Sequence, residues 1–442
     1  MTPLAALLLA ALPTDSGTLA PPAPPGGLEG MPPAVTLTLE ESLALLDRQN
    51  PTLEEARARA AQALAVVRQV AAPLLPTLGV SGQYYRNRND FLITFPSIPG
   101  LPTGTVYFQP LDAWAAGGSL RVPLIVPEAW FALAASRDAA LASQASAEAT
   151  RLTLRATLLQ TAWVAWAGEE IVAASERALE AAREQAQSSR RQVQVGTATP
   201  LSVLQAETAA TRRESDLVAA RSEAERARIA VGALLGRSEP VRIAMPGPGA
   251  PVRSDVPSLS AEALDHRPEL RATAAVVRSY QKQAQSAWWR LAPHVSASGT
   301  ASAQNVPYPT GYREAWQVTV DLTWTLYDGG YRYGLARQAE AQADEARAAD
   351  TRTRIEVVEE VQNSARDVEV ARERLRLATQ ERATAAEAAA SARRGFREGI
   401  SSSLDVITAN QLLFESEVQV ADSGARLGAA LAALDRAVGR SP

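Results

Sequence analysis

Trp316, Val318, Val320, Leu322, Trp324 and Leu326 alternate with Gln317, Thr319, Asp321, Thr323 and Thr325. A two-residue period sends successive side chains to opposite faces, so this stretch predicts a β-strand with one apolar face and one polar face. Leu120, Val122, Leu124 and Val126 repeat the pattern, as do Leu78, Val80 and Tyr84, and Val295, Ala297 and Ala301 form a weaker version. Elsewhere the period changes. Val357, Val361, Ser364, Val368, Ala371, Leu375 and Ala378 are spaced alternately four and three residues apart, which predicts a long helix in left-handed coiled packing. Ile355, Val358, Val370 and Leu377 lie off that stripe and predict a second contact face. A helix with neighbours on both sides fits a wall or tube better than a two-stranded rod.

The pattern is written twice. Pro51-Thr52-Leu53 corresponds to Pro268-Glu269-Leu270, Pro76 to Pro293 and Ser81-Gly82 to Ser298-Gly299, all at an offset of 217. Leu124 and Leu133 match Leu326 and Leu335 at 202, and Arg190-Arg191, Gly196 and Leu201 match Arg393-Arg394, Gly399 and Leu404 at 203. The first copy therefore carries about 15 extra residues between 83 and 120. Each copy reads as a helix (51 to 75, then 268 to 292), a strand, a loop, a strand, a helix of roughly 65 to 70 residues, a Gly-containing break and a helix of about 35 residues. At 1.5 Å per residue the long helix reaches about 100 Å, too long for one compact domain. The two shorter helices together nearly equal it, which predicts that they stack end to end alongside it. The expected organisation is a leader over 1–35, a first repeat over 36–255 and a second over 256–442.

Roughly ten residues of alternation suffice for a tilted strand across a bilayer. Trp114, Trp130, Trp288, Trp289, Trp316 and Trp324 gather near strand ends, where the amphipathic indole favours the membrane interface. Trp163 and Trp166 fall within a long helix and read as packing residues. No run of 18 apolar residues occurs, so any span must be a closed β-barrel. Four strands cannot close one, and open edges in lipid are prohibitive. Three chains would supply twelve strands.

Composition narrows the chemistry. The chain has 442 residues, 46% of them hydrophobic but only 5% aromatic, with a net charge of -4 and no cysteine. Interspersed charges offer no basic stripe for nucleic acid. Without cysteine there is no disulfide, thiol nucleophile or N-terminal lipidation site. His266 and His294 are the only histidines; they read as helix-start and strand-start residues, and no metal site or cofactor is expected. No P-loop or dinucleotide-type glycine motif occurs, so no catalytic residue is assigned. The carboxylate pairs at Gly168-Glu169-Glu170 and Val357 to Glu360 read as solvated helix faces. Met1 to Pro13 forms a short apolar segment, followed by Pro-rich sequence to Pro33; it reads as a secretory leader without a basic start.

The duplicated order, together with the strand-to-helix junction Thr325-Leu326-Tyr327-Asp328-Gly329-Gly330, resembles the TolC family of outer-membrane efflux proteins over about residues 36 to 440. In the first copy the junction reads Pro123-Leu124-Ile125-Val126-Pro127-Glu128 instead. The resemblance implies a mainly α fold with a small β part, the TolC-like α/β barrel. Its parts would be long coiled-coil helices and four membrane β-strands per protomer, internally duplicated and trimeric. It implies a location in the outer membrane of a Gram-negative-type bacterium, with a large periplasmic part. The implied function is a passive exit duct of a tripartite efflux system, fed by an inner-membrane pump through a periplasmic adaptor. Alternatives are the duct of a type I protein secretion system and a periplasmic coiled-coil scaffold without channel activity.

On this reading the Gly-containing breaks are helix reversals at the periplasmic tips. Val195, Gly196, Thr197 and Ala198 in the first, and Gly399, Ile400, Ser401 and Ser403 in the second, are the expected adaptor contacts. Asp405 falls where the family often carries an aspartate in the tunnel constriction. Three copies would form an acidic ring with a raised apparent pKa and an affinity for cations; the simpler role is a helix-start aspartate favoured by the dipole. Trp316, Val318, Val320, Leu322 and Trp324 are the expected lipid-facing positions.

Overall fold

The computed structural model describes residues 35–95, 104–196, 198–245, 247, 256–308 and 312–441. The expected leader, apart from Val35, and Thr197 of the first tip lie outside the described residues. Strand β1 (Val35–Thr38) runs into helix α1 (Leu39–Gln49) and helix α2 (Pro51–Ala71). Thr38 starts α1 through a capping box: its Oγ1 accepts from the Glu41 N–H at 3.3 Å, while Glu41 Oε2 accepts from the Thr38 N–H at 2.8 Å. Each bond satisfies a backbone donor that a helix start otherwise leaves unpaired. Asn50 ends α1 and caps α2, accepting from the Leu53 N–H at 3.0 Å, with Pro51 at the first helical position where no donor is needed.

A 3-10 turn (Ala72–Leu74) leads to β2 (Thr77–Arg86), the hairpin β3 (Phe91–Phe95) and β4 (Gly104–Gln109), and β5 (Asp112–Ile125). The hairpin accounts for the extra residues of the first copy. Helix α3 (Pro127–Gln194) has 68 residues and is followed by α4 (Pro200–Leu234) with 35. The second run consists of β6 (Val241–Ala244), α5 (Val256–His266), α6 (Pro268–Trp289), β7 (His294–Gln304), β8 (Glu314–Thr323), α7 (Tyr331–Arg397) and α8 (Ser403–Val438). His266 closes α5 rather than starting a helix, because Arg267 is the N-cap that precedes Pro268. His294 does begin β7.

The helices pack as the lengths predict. Helices α2 and α4 lie along α3, and α6 and α8 along α7, while α3 also touches α6 and α8 and so joins the halves. On the α7 stripe Val357, Val361, Val368, Ala371 and Ala378 are buried. Alanine is what lets these axes approach; on α8, Gly428 goes further, since a Cβ there would lie 2.1 Å from the Trp163 ring of α3. Off the stripe, Ile355, Val370 and Leu377 are exposed and Val358 is half-buried.

Larger apolar side chains are collected in a collar that the sequence patterns did not predict. Strands β1 and β6 pair in parallel, Val35 opposite Val241 through Thr38 opposite Ala244. Beside them Leu46, Leu158, Val231, Leu235 and Val241 form one core, and Leu259, Leu270, Val357, Val361 and Val438 form its counterpart around α5. Each such side chain contributes about 1.5–3 kcal/mol on burial. Charge reinforces the collar. Asp47 is held by Arg151 and Arg155, and Glu360 accepts from Arg267 and Arg436. Glu169 likewise receives Arg228 and Arg242, so neither Glu169 nor Glu360 belongs to a solvated face: both sit where arginines from other elements converge.

Candidate functional site: a two-faced sheet and paired helix tips

Strands β2, β5, β7 and β8 form one antiparallel sheet in that order. Its register decides which residues share a face. Val318 stands opposite Gly299, which stands opposite Leu120 and then Leu78. Trp316, Ala301, Gly118 and Val80 form the next row on that face, and Val320, Ala297 and Val122 another. The opposite face carries Thr319, Ser298, Arg121 and Thr77 in one row and Gln317, Thr300, Ser119 and Gly79 in the next. There Ser298 and Thr319 share a hydrogen bond at 2.6 Å, and the Thr319 hydroxyl reaches Asp321 Oδ2 at 3.3 Å.

The apolar face is uncovered. Trp316 is 80% exposed and Val320 69%, with Val318, Leu322 and Trp324 similar. No helix of the described residues is long and apolar enough to cross a membrane; the sheet presents an exposed apolar face. Aromatic side chains mark both ends of it. Trp316, Trp114 and Tyr84 stand at one end, with Trp324, Tyr327, Trp130 and Trp289 at the strand-to-helix end, all exposed. Trp316 and Trp324 are eight residues apart, roughly 26 Å along a strand; at a tilt of about 40° that projects to about 20 Å of barrel height, most of an apolar band about 25 Å tall.

The junction after β8 is built by Gly329 and Gly330, both at positive φ, a conformation open to glycine without steric cost. Asp328 Oδ2 then accepts from Arg332 Nε at 2.6 Å, and Arg332 Nη1 donates to the Arg290 carbonyl at 2.9 Å, tying strand end to helix start. In the first copy Pro127 starts α3 without a side-chain cap. His294 Nε2 lies 2.7 Å from Glu128 Oε1 there.

Both Gly-containing breaks are reversals between a long and a short helix. Gly399 has φ +76 and Gly196 φ +80. At the second tip the Gly399 N–H donates to the Phe396 carbonyl at 3.3 Å and the Ile400 N–H to the Gly395 carbonyl at 2.8 Å, the paired bonds of a Schellman ending. The first tip repeats the inner bond, Gly196 N–H to Val193 carbonyl at 3.0 Å. Val195 and Ile400 are 73% and 80% exposed, while Ala198 and Ser401 are half-buried. Ser403 does not share that surface. It is 7% exposed, because it starts α8 against α3, where its Oγ accepts from Gln185 Nε2 at 3.1 Å and lies 3.3 Å from Ser189 Oγ.

Asp405 completes a capping box with Ser402. Its Oδ2 accepts from the Ser402 N–H and Oγ, each at 2.8 Å, and its own N–H donates to Ser402 Oγ at 3.2 Å. The Ser402 hydroxyl, then the Ser402 backbone N–H, hold its carboxyl below the usual range. Within one protomer the shift is thus downward, opposite to the rise expected for a ring of three. The Ser402-Ser403-Leu404-Asp405 spacing carries this capping signal in the sequence itself.

A model of the outer membrane efflux protein family matches residues 43–237 and again 259–440, one match for each run of elements. The chain belongs to that family. Among curated relatives, Protein CyaE of Bordetella pertussis is 30% identical over 184 residues, which cover 41% of this chain and 38% of that protein. The match thus spans well under half of the relative's length. Among solved structures, the outer membrane protein VceC of Vibrio cholerae is 19% identical with a TM-score of 0.75, covering 91% of this chain and 96% of VceC. The CmeC outer membrane channel of Campylobacter jejuni is also 19% identical, with a TM-score of 0.77, 91% of this chain and 85% of CmeC. These two outer-membrane proteins share the fold. In this outer-membrane efflux protein the sheet is the membrane part and the long helices are the periplasmic part.

Proposed function

We propose that three copies close into a twelve-stranded barrel continuous with a twelve-helix tunnel. The assembly serves as the passive exit duct of a tripartite efflux system for small molecules or ions, driven by an inner-membrane pump through an adaptor, with no catalytic step of its own. The observation that carries this reading is the sheet: its outer face is apolar and exposed, and β2 and β8 are edge strands. Unpaired edges in hydrocarbon cost several kcal/mol per backbone group, and pairing β8 with a neighbour's β2 removes them.

The helical layer supports the same closure. Contacts run α4 to α3, α3 to α8 and α8 to α7, so α4 and α7 are its edges. Both edges carry exposed apolar residues at matching heights. Leu377 is about 30 Å from the tip end of α7 and Val218 about 27 Å from that of α4; Val370 and Ile229 are at about 40 and 44 Å. In a ring, α7 of one protomer meets α4 of the next.

The tips, with Val195, Gly196, Thr197, Ala198, Gly399, Ile400 and Ser401 around them, are the proposed adaptor-docking end, and three Asp405 carboxylates the proposed acidic ring near the constriction. The purified protein, reconstituted in planar bilayers, should give discrete conductance steps from a heat-labile trimer. A monomer that neither inserts nor conducts would leave the scaffold reading in its place.

A further inference from the structure

Where the tips approach the turns, α3 and α7 are separated by a groove of about 620 Å³ floored by Asn410 of α8. Its charged lining is lopsided: Arg191, Arg393, Arg394 and Arg397 against Glu184. All four arginines are exposed, and among the described residues none of them has a carboxylate within ion-pair distance. Arg190, the neighbour of Arg191, differs; its guanidinium is taken by Glu207 at 2.6 Å. Elsewhere on the long helices arginines are commonly neutralised, as at Arg183 with Glu214, Arg221 with Glu176 and Arg376 with Glu373.

Helix dipoles do not account for the cluster. Arginines in a last turn favour the negative end of a helix, but each C-terminus presents only about half a unit of negative charge. The ends of α3 and α7 together with Glu184 offset about two of four positive charges. Arg393 gains one further partner, its own-turn Ala389 carbonyl, at 3.2 Å. About two guanidinium charges therefore remain uncompensated in a concave site, each able to hold a carboxylate through two parallel N–H bonds.

We infer that this groove binds an acidic segment of the periplasmic partner, two or more Asp or Glu side chains spaced along one element. The inference rests on the reading of the tips as the docking end, since the groove opens beside the exposed turns at Val195 and Ile400. Arg191 and Arg394 occupy corresponding positions in the two repeats, so the carboxylates are met from both helices. The partner is thus chosen by charge at the groove and by apolar contact at the turns.

The test uses the full chain in detergent with a hexaglutamate peptide as probe, hexalysine as control and inorganic pyrophosphate as a small anion. Hexaglutamate should bind, hexalysine should not, and binding should weaken on raising salt from 50 to 200 mM. Arg393→Glu with Arg397→Glu should weaken it at least tenfold, and Arg393→Gln with Arg397→Gln by less. Unchanged binding in both double variants overturns the site. Pyrophosphate binding as tightly as hexaglutamate, with the same arginine dependence, overturns the peptide ligand in favour of a small-anion site. Export in cells separates this from the docking reading: Gly196→Trp and Gly399→Trp test the tips without touching the arginines. If they abolish export while the double charge reversal leaves it unaltered, docking stands and the acidic partner segment is wrong.

Discussion

The sheet and the helical wall use side chains in opposite ways. In the sheet the largest apolar residues, Trp316, Val318, Val320 and Leu322, are exposed, and hydroxyls meet on the other face. In the wall the buried positions are mostly alanine, and exposed positions carry arginine and glutamate in pairs. One chain would not follow two contradictory burial rules in one solvent. The sheet follows the rule for lipid, where apolar side chains face outward; the wall follows the rule for water, where close helix packing replaces bulk.

The largest expected effect breaks the sheet side of this contrast. Val320→Arg places a charge in lipid at about 2–4 kcal/mol per protomer near the midplane, and membrane-assembled trimer should be lost on native gels. Thr319→Arg, one residue away on the hydroxyl face, should assemble. Equal yields of the two would reject the assignment of faces.

In the wall, Glu360→Ala should come next. It strips Arg436 and Arg267 of a shared carboxylate; the Arg267 side chain is only 3% exposed but keeps Glu269 at 3.3 Å, so about 1–3 kcal/mol of stability should go, read as a lowered thermal midpoint. Gly428→Ala tests the close packing itself. A Cβ 2.1 Å from the Trp163 ring must push the helices apart, costing about 1–3 kcal/mol, and Trp163→Leu in the same chain should recover part of the loss. An unshifted midpoint in Gly428→Ala would mean the α3–α8 contact is looser than described.

A fourth prediction concerns acid. Burial opposes ionisation of Asp47, but hydrogen bonds from Arg151 and Arg155 outweigh it and hold the carboxyl at about 2. Its folded value lies below an unfolded value of about 3.9. The stabilisation is therefore full above about pH 4 and disappears as pH falls toward 2, at most about 2–3 kcal/mol. The stability gap between wild type and Asp47→Asn should narrow over that window; a constant gap would assign the effect to packing. The smallest effect is at Asp405, where Asp405→Asn keeps a side-chain acceptor and removes the charge. Weaker cation selectivity in planar bilayers, with an unchanged midpoint, would support the acidic ring; unchanged selectivity would leave Asp405 as the α8 cap.

What the sequence disclosed followed from local periodicity. The Trp316 to Leu326 alternation and the α7 stripe were readable because each is set by neighbours within a few residues. The β1–β6 pair was not, since Val35 meets Val241 across more than 200 residues and four-residue strands carry too few positions to show a period. Glu169 and Glu360 were misread for the same reason: their arginines come from other elements. Ser403 reads as a tip contact because it fits the turn pattern that the family resemblance implies, whereas α8 turns it toward Gln185 and Ser189. Helix α1 was missed although Thr38 and Glu41 announce it.

The closed ring of three is tested most directly by a disulfide between neighbouring protomers, which stops at three only if the ring closes. The chain has no cysteine, so Val218→Cys with Leu377→Cys introduces the only two thiols, on helices at opposite edges of the protomer's layer. Oxidised in membranes and run without reductant, the double variant should yield covalent trimers, with each single variant remaining monomeric. Monomers alone, or a ladder continuing past three, would contradict the closed trimer.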